Sequence, residues 1–111
     1  MPDLIGHLLA MKERGYIYMM TNASNKTLYI GVTSSLKKRI SEHRDGLGSE
    51  FTRRYFCTKL VYYEIYPTIT QAIAREKQLK HYKREWKDEL INKMNPNWED
   101  YAPGVIDDPL L

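Results

Sequence analysis

The sequence predicts an α+β domain in which helices flank a small three-stranded antiparallel sheet, in the order β-β-α-β-α-α. Three observations carry that prediction. Two short aromatic and β-branched runs, Tyr16 to Met20 and Leu28 to Thr33, lie either side of turn-forming residues Asn22 to Lys26. A third such run, Leu60 to Ile65, ends before Pro67. Apolar residues at helical spacing, preceded by capping residues, occupy much of the chain between and after the strands. With 111 residues, 42% hydrophobic and 28% charged, the chain has the size and composition of one globular domain. That length buries enough surface for a core without disulfide or metal staples.

The elements follow in order. Leu4, Ile5, Leu8, Leu9 and Met11 fit a short amphipathic helix, so residues 1 to 14 are expected to form an N-terminal extension. The short connection between the first two strands makes them an antiparallel hairpin. Ser34 and Ser35 are good N-caps for a helix carrying Leu36, Ile40 and Leu47, which Gly46 and Gly48 bring to an end. Gly48 to Thr58 reads as a loop. Thr68 and Gln71 form a capping-box pattern that starts a helix near Ile69 and runs it to about Lys83. A further helical stretch, Arg84 to Met94, is stopped by Pro96. The domain proper is expected to span residues 15 to 101, with residues 102 to 111 as a solvated acidic tail.

Charge is uneven. The last 17 residues carry Glu99, Asp100, Asp107 and Asp108 and no Lys or Arg, so the remainder holds 17 basic against 10 acidic residues, a net +7. The excess concentrates between Leu36 and Lys59 and between Gln71 and Lys87. Clustered cations are the footprint of a polyanion partner, although they also simply solvate helices. The longest apolar stretch is far too short to span a bilayer, and the N-terminus lacks the pattern of a secretory leader. The single cysteine, Cys57, makes no internal disulfide and reads as buried, so the expected compartment is the cytoplasm.

Three groups of residues can carry chemistry. Glu76 falls near the centre of a helical stripe with Ile69, Ala72, Ile73 and Leu79. A carboxylate there must be ion-paired, protonated or bound to a cation, because burying it bare costs several kcal/mol. Arg39 and His43, four apart, share one helix face, either as solvated surface or as a cation and an imidazole serving an anionic transition state. Of the nine tyrosines, Tyr16, Tyr62, Tyr63, Tyr66 and Tyr82 read as packing or surface. Tyr18 and Tyr29 differ, because the hairpin brings both phenols close together, where one can orient or deprotonate water.

Tyr16-Ile17-Tyr18 followed by Tyr29-Ile30-Gly31 resembles the paired signature of the GIY-YIG nuclease superfamily, with Tyr16 where the family often has Gly. The spacing to Arg39, His43 and Glu76 resembles that family too, and Asn95-Pro96-Asn97-Trp98 is similar to the closing motif of its small single-domain bacterial members. The resemblance covers Gly15 to about Tyr101. It implies hydrolysis of phosphodiester bonds in nucleic acid, DNA above all, with one divalent cation, Mg²⁺ or Mn²⁺, held by Glu76. It further implies that Arg39 neutralises the phosphate, and that Tyr18, Tyr29 or His43 activates water. The resemblance also implies an asparagine that closes the site, Asn95 or alternatively Asn92.

Lys37, Lys38, Arg53, Arg54 and Lys59 are the candidate nucleic-acid contacts, and the basic segment Gly48 to Tyr55 offers Phe51 and Tyr55 for base stacking. The expected selectivity is weak or structure-directed, toward branched, damaged or single-stranded substrate. The competing reading is a nucleic-acid-binding or protein-interaction module that kept the fold and lost turnover. Retention of Tyr18, Tyr29, Arg39, His43 and Glu76 together favours the enzyme.

Overall fold

A computed structural model describes residues 14 to 111; the helix expected within residues 1 to 14 lies, apart from Arg14, outside the described residues. Three strands form one sheet: β1 (Gly15–Thr21), β2 (Leu28–Thr33) and β3 (Lys59–Tyr66), in the order β2-β1-β3, with both pairings antiparallel. Among the described residues, five helices flank it: α1 (Leu36–Arg44), α2 (Glu50–Arg54), α3 (Ile69–Lys80), α4 (Arg84–Met94) and α5 (Ala102–Asp107). Among the described residues, no helix is long and apolar enough to cross a membrane.

β1 is central and covered on both faces, so all seven of its residues are buried. Alternation divides them. Tyr16, Tyr18 and Met20 join Leu36, Ile40, Cys57, Leu60, Ala102 and Val105 in the core beneath α1 and α5. Ile17 and Met19 join Ile30, Val61, Ala72, Leu79 and Ile91 beneath α3 and α4. Tyr16 and Tyr62 are therefore packing residues. Opposite Met19 and Met20, β3 carries an extra residue, Val61, between the paired Leu60 and Tyr62.

The structure corrects four expectations. The segment expected as a loop contains α2, a five-residue helix whose N-cap Ser49 accepts from the Thr52 amide at 3.2 Å; it is too short to show a helical period. α1 ends at Arg44, leaving Leu47 69% exposed. α3 ends at Lys80 rather than near Lys83, which is instead the N-cap of α4, the helix expected over Arg84 to Met94. The acidic segment is not a freely solvated tail, because it folds into α5, which buries Ala102 and Val105.

Candidate active site

Tyr18 and Tyr29 come from adjacent strands. In the hairpin register Tyr18 faces Gly31 and Met20 faces Tyr29, so the two tyrosines are diagonal neighbours on one face, ring centroids 6.1 Å apart. A Cβ at Gly31 would collide with the Tyr18 ring and its hydroxyl; only glycine opposite Tyr18 leaves the ring its place. α1 packs on the same face and carries Arg39 and His43 one turn apart. Tyr18 Oη lies 2.9 Å from His43 Nε2 and accepts from Arg39 Nε at 3.4 Å. The Tyr29 and His43 rings meet edge-on at 5.6 Å. Four of the candidate residues, Tyr18, Tyr29, Arg39 and His43, thus form one cluster.

Burial governs its protonation. It pushes the Tyr18 phenol up, although the Arg39 hydrogen bond works the other way, so the phenol stays protonated at neutral pH. Burial, reinforced by the Arg39 charge and opposed by Glu42, pushes His43 down to about 4, so the imidazole is neutral. Tyr18 and His43 are buried, while Arg39 and Tyr29 are partly exposed and form the outer layer.

Glu76 is buried, as its stripe requires, but on α3, against the other sheet face. Its partner is Lys80 rather than the arginine an ion pair there would favour. Lys80 Nζ lies 2.6 Å from Oε1 as an ion pair outside hydrogen-bonding alignment, and Oε1 makes no hydrogen bond. Lys80 already neutralises that carboxylate, so a divalent cation held by Glu76 would have to displace the half-exposed ammonium. Among the described residues no group of three or more acidic, His or Cys side chains gathers, so a cation held there would take one carboxylate and keep its waters, as Mg²⁺ does. Lys80 also lines a pocket of about 310 Å³ with Leu28, Tyr29, Ile30, Phe51 and Lys87, which links the α3 side to Tyr29 around the β2 edge. A larger pocket of about 570 Å³ lies by α5, lined by Tyr63, Asp100 and Tyr101, and contains no residue of the cluster.

The structure does not bring Asn95 to the cluster. Asn95 is the buried C-cap of α4, and its amide is consumed by Val61 O (3.1 Å), Glu99 O (2.8 Å) and Glu99 N (2.9 Å). It satisfies the carbonyl of the bulged residue, a structural task. The alternative, Asn92, accepts from Trp98 Nε1 at 2.6 Å on the surface. Lys59 donates to Asn25 Oδ1 and, with Arg84, ties down the β1–β2 turn. Lys38, Arg53 and Arg54 are exposed and Lys37 half-buried. From Tyr29 an aromatic row runs outward, through Phe51 at 5.9 Å to Tyr55 at a further 4.8 Å, with Arg54 over the Tyr55 ring.

Thr52 is the residue that sequence reasoning missed. Its hydroxyl lies 2.9 Å from His43 Nδ1, a contact that nothing local to Thr52 in the chain announces. The Ser49-x-x-Thr52 spacing, a cap pattern, was the available signal, and it points to the helix rather than to the contact.

A hairpin with paired tyrosines, an arginine and a histidine on the next helix, and a buried glutamate on a later one define a GIY-YIG domain. A family model described as the GIY-YIG catalytic domain matches residues 14–95, and the chain belongs to that family. Its relatives include UPF0213 proteins. One from Haloquadratum walsbyi is 35% identical over 83 residues, covering 75% of this chain and 92% of the relative. One from Clostridium perfringens is 35% identical over 90 residues, covering 81% and 96%. The solution NMR structure of a UPF0213 protein from Bacillus halodurans shares the fold with a TM-score of 0.52 at 26% identity, covering 80% of this chain and 94% of that one.

Proposed function

We propose that this chain is a metal-dependent endonuclease that hydrolyses phosphodiester bonds, with DNA as substrate and selection by strand structure rather than by a long sequence. The observation that carries the reading is the hydrogen-bonded Arg39–Tyr18–His43 series beside Tyr29. Arg39 is a fixed cation for the phosphate oxygens as charge develops on them. Its bond to Tyr18 is long and its side chain partly exposed, so turning toward a phosphate frees Tyr18 Oη for the attacking water. Oη takes the water proton as its own proton passes to neutral His43 Nε2, so no free phenolate is required. Tyr29, on the open side, orients the phosphate and the water.

Glu76 would hold the single divalent cation, Mg²⁺ or Mn²⁺. Such an ion supplies stabilisation of the phosphorane charge and the leaving oxygen. The row Tyr29, Phe51 and Tyr55 gives unpaired bases a stacking platform. Lys37, Lys38, Arg53 and Arg54 offer charge for the backbone. Both features favour single-stranded, branched or damaged substrate over intact duplex.

The test is cleavage of labelled single-stranded, duplex and branched DNA and RNA with Mg²⁺, Mn²⁺ or chelator, comparing the native protein with Glu76→Ala. Circular dichroism would confirm that the variant folds. Metal-dependent cuts that vanish in the variant are expected. Binding without cleavage across the panel would favour the non-catalytic module, and cleavage that survives the substitution would put the metal elsewhere.

A further inference from the structure

His43 is held from both sides, and the ends of its hydrogen-bond series fix a direction. At one end Arg39 can only donate, so Tyr18 Oη accepts from it and turns its own proton toward His43 Nε2, 2.9 Å away. At the other end the Ser49 carbonyl can only accept. Thr52 Oγ1 lies 3.0 Å from it and donates there, which leaves a lone pair for His43 Nδ1, 2.9 Å away. Both ends require the same imidazole: a proton on Nδ1 and a lone pair on Nε2.

The seat is closed. Thr52 is 2% exposed, so water does not compete for Nδ1. A Cβ at Gly48, the residue before the cap, would strike the imidazole at Nδ1. Ser49 Oγ accepts from the Thr52 amide at 3.2 Å and lies 3.1 Å from Thr52 Oγ1. The cap that begins α2 therefore also pins the hydroxyl that meets the histidine.

We propose that the Ser49–Thr52 cap is a positioning unit that sets the His43 tautomer and thereby makes Nε2 the acceptor for the Tyr18 proton. The catalytic half of this statement rests on the nuclease reading above; the tautomeric half does not. Without the Thr52 hydroxyl, a proton on Nδ1 would be buried with no acceptor, which costs free energy. The proton then moves to Nε2 and points at Tyr18, and Tyr18 can no longer hand its proton over.

The experiment compares the native protein with Thr52→Val, which keeps the shape, and Thr52→Ser, which keeps the hydroxyl. The readouts are the His43 ring ¹⁵N shifts from long-range ¹H–¹⁵N correlation and the cleavage kinetics. Native protein and Thr52→Ser should carry the proton on Nδ1, and Thr52→Val on Nε2. In Thr52→Val kcat should fall about 10- to 100-fold with KM changed less than about twofold, and Thr52→Ser should recover most of the loss. A native His43 protonated on Nε2 overturns the proposal whether or not the valine variant folds. So does a folded Thr52→Val that keeps the native tautomer or the native kcat. A native protein that cleaves nothing defeats the nuclease reading, and the ¹⁵N shifts then decide the tautomer assignment alone.

Discussion

His43 links the chemistry of the cluster to the stability of the fold. Its imidazole is neutral down to about 4, because burial and then the Arg39 charge disfavour the cation, whereas in the unfolded chain it titrates at about 6.5. Between those values the unfolded state binds a proton that the folded state refuses. The stability is fully present above about 6.5 and is lost as pH falls toward 4, by an amount on the order of 3 kcal/mol. Glu64 does not interfere. Burial alone would raise its carboxyl, but hydrogen bonds from Arg75, Tyr62 and Tyr66 outweigh that and hold it below its usual 4.5. Urea midpoints measured from pH 7 to 4.5 should fall steeply for the native protein and much less for His43→Gln. Parallel falls would mean that His43 is not held neutral. The approach of Tyr18 to Tyr29 and the burial of Glu76 were legible in the sequence, since alternation and helical spacing are local. The partners of His43 and Asn95 were not. Thr52 is nine residues from His43 and Val61 is 34 from Asn95, and only the assembled fold brings each pair together.

At the scale of elements, the strands and the long helices announced themselves through period and caps, with boundaries off by a few residues. The two short helices did not. α2 spans five residues and α5 six, both below the length at which a period shows, and both depend on tertiary partners. α5 illustrates the point. Asp100 Oδ1 accepts from the amides of Leu60 (3.0 Å) and Ala102 (2.9 Å), and Oδ2 pairs with Arg44 at 3.6 Å. A charge that reads as tail solvation from sequence instead anchors the segment to β3 and α1. Removing residues 102 to 111 should therefore uncover Leu36, Ile40 and Leu60 and destabilise the protein by about 3 kcal/mol or more, measured by chemical denaturation. Unchanged stability with tighter nucleic-acid binding at low salt would restore the solvated, phosphate-competing tail.

At the scale of the molecule, a single sheet covered on both faces separates the Tyr18 cluster from Glu76. The α1 face assembles the tyrosines, arginine and histidine, and the α3 and α4 face carries Glu76. At the β2 edge, the 310 Å³ pocket is lined both by Tyr29 and by Lys80, the ion-pair partner of Glu76, and so adjoins both sides. The basic excess would attract a polyanion, but charge alone does not distinguish a catalyst from a binding module. The distinction rests on Tyr18. Tyr18→Phe keeps the ring that fills the space over Gly31 and deletes only the hydroxyl shared by Arg39 and His43. The most direct measurement is the single-turnover cleavage rate of that variant on single-stranded DNA with Mg²⁺, alongside its far-ultraviolet circular dichroism. Proton transfer through Tyr18 predicts a fall of about 10²- to 10⁴-fold with the spectrum unchanged. A folded Tyr18→Phe that cuts at the native rate would contradict it.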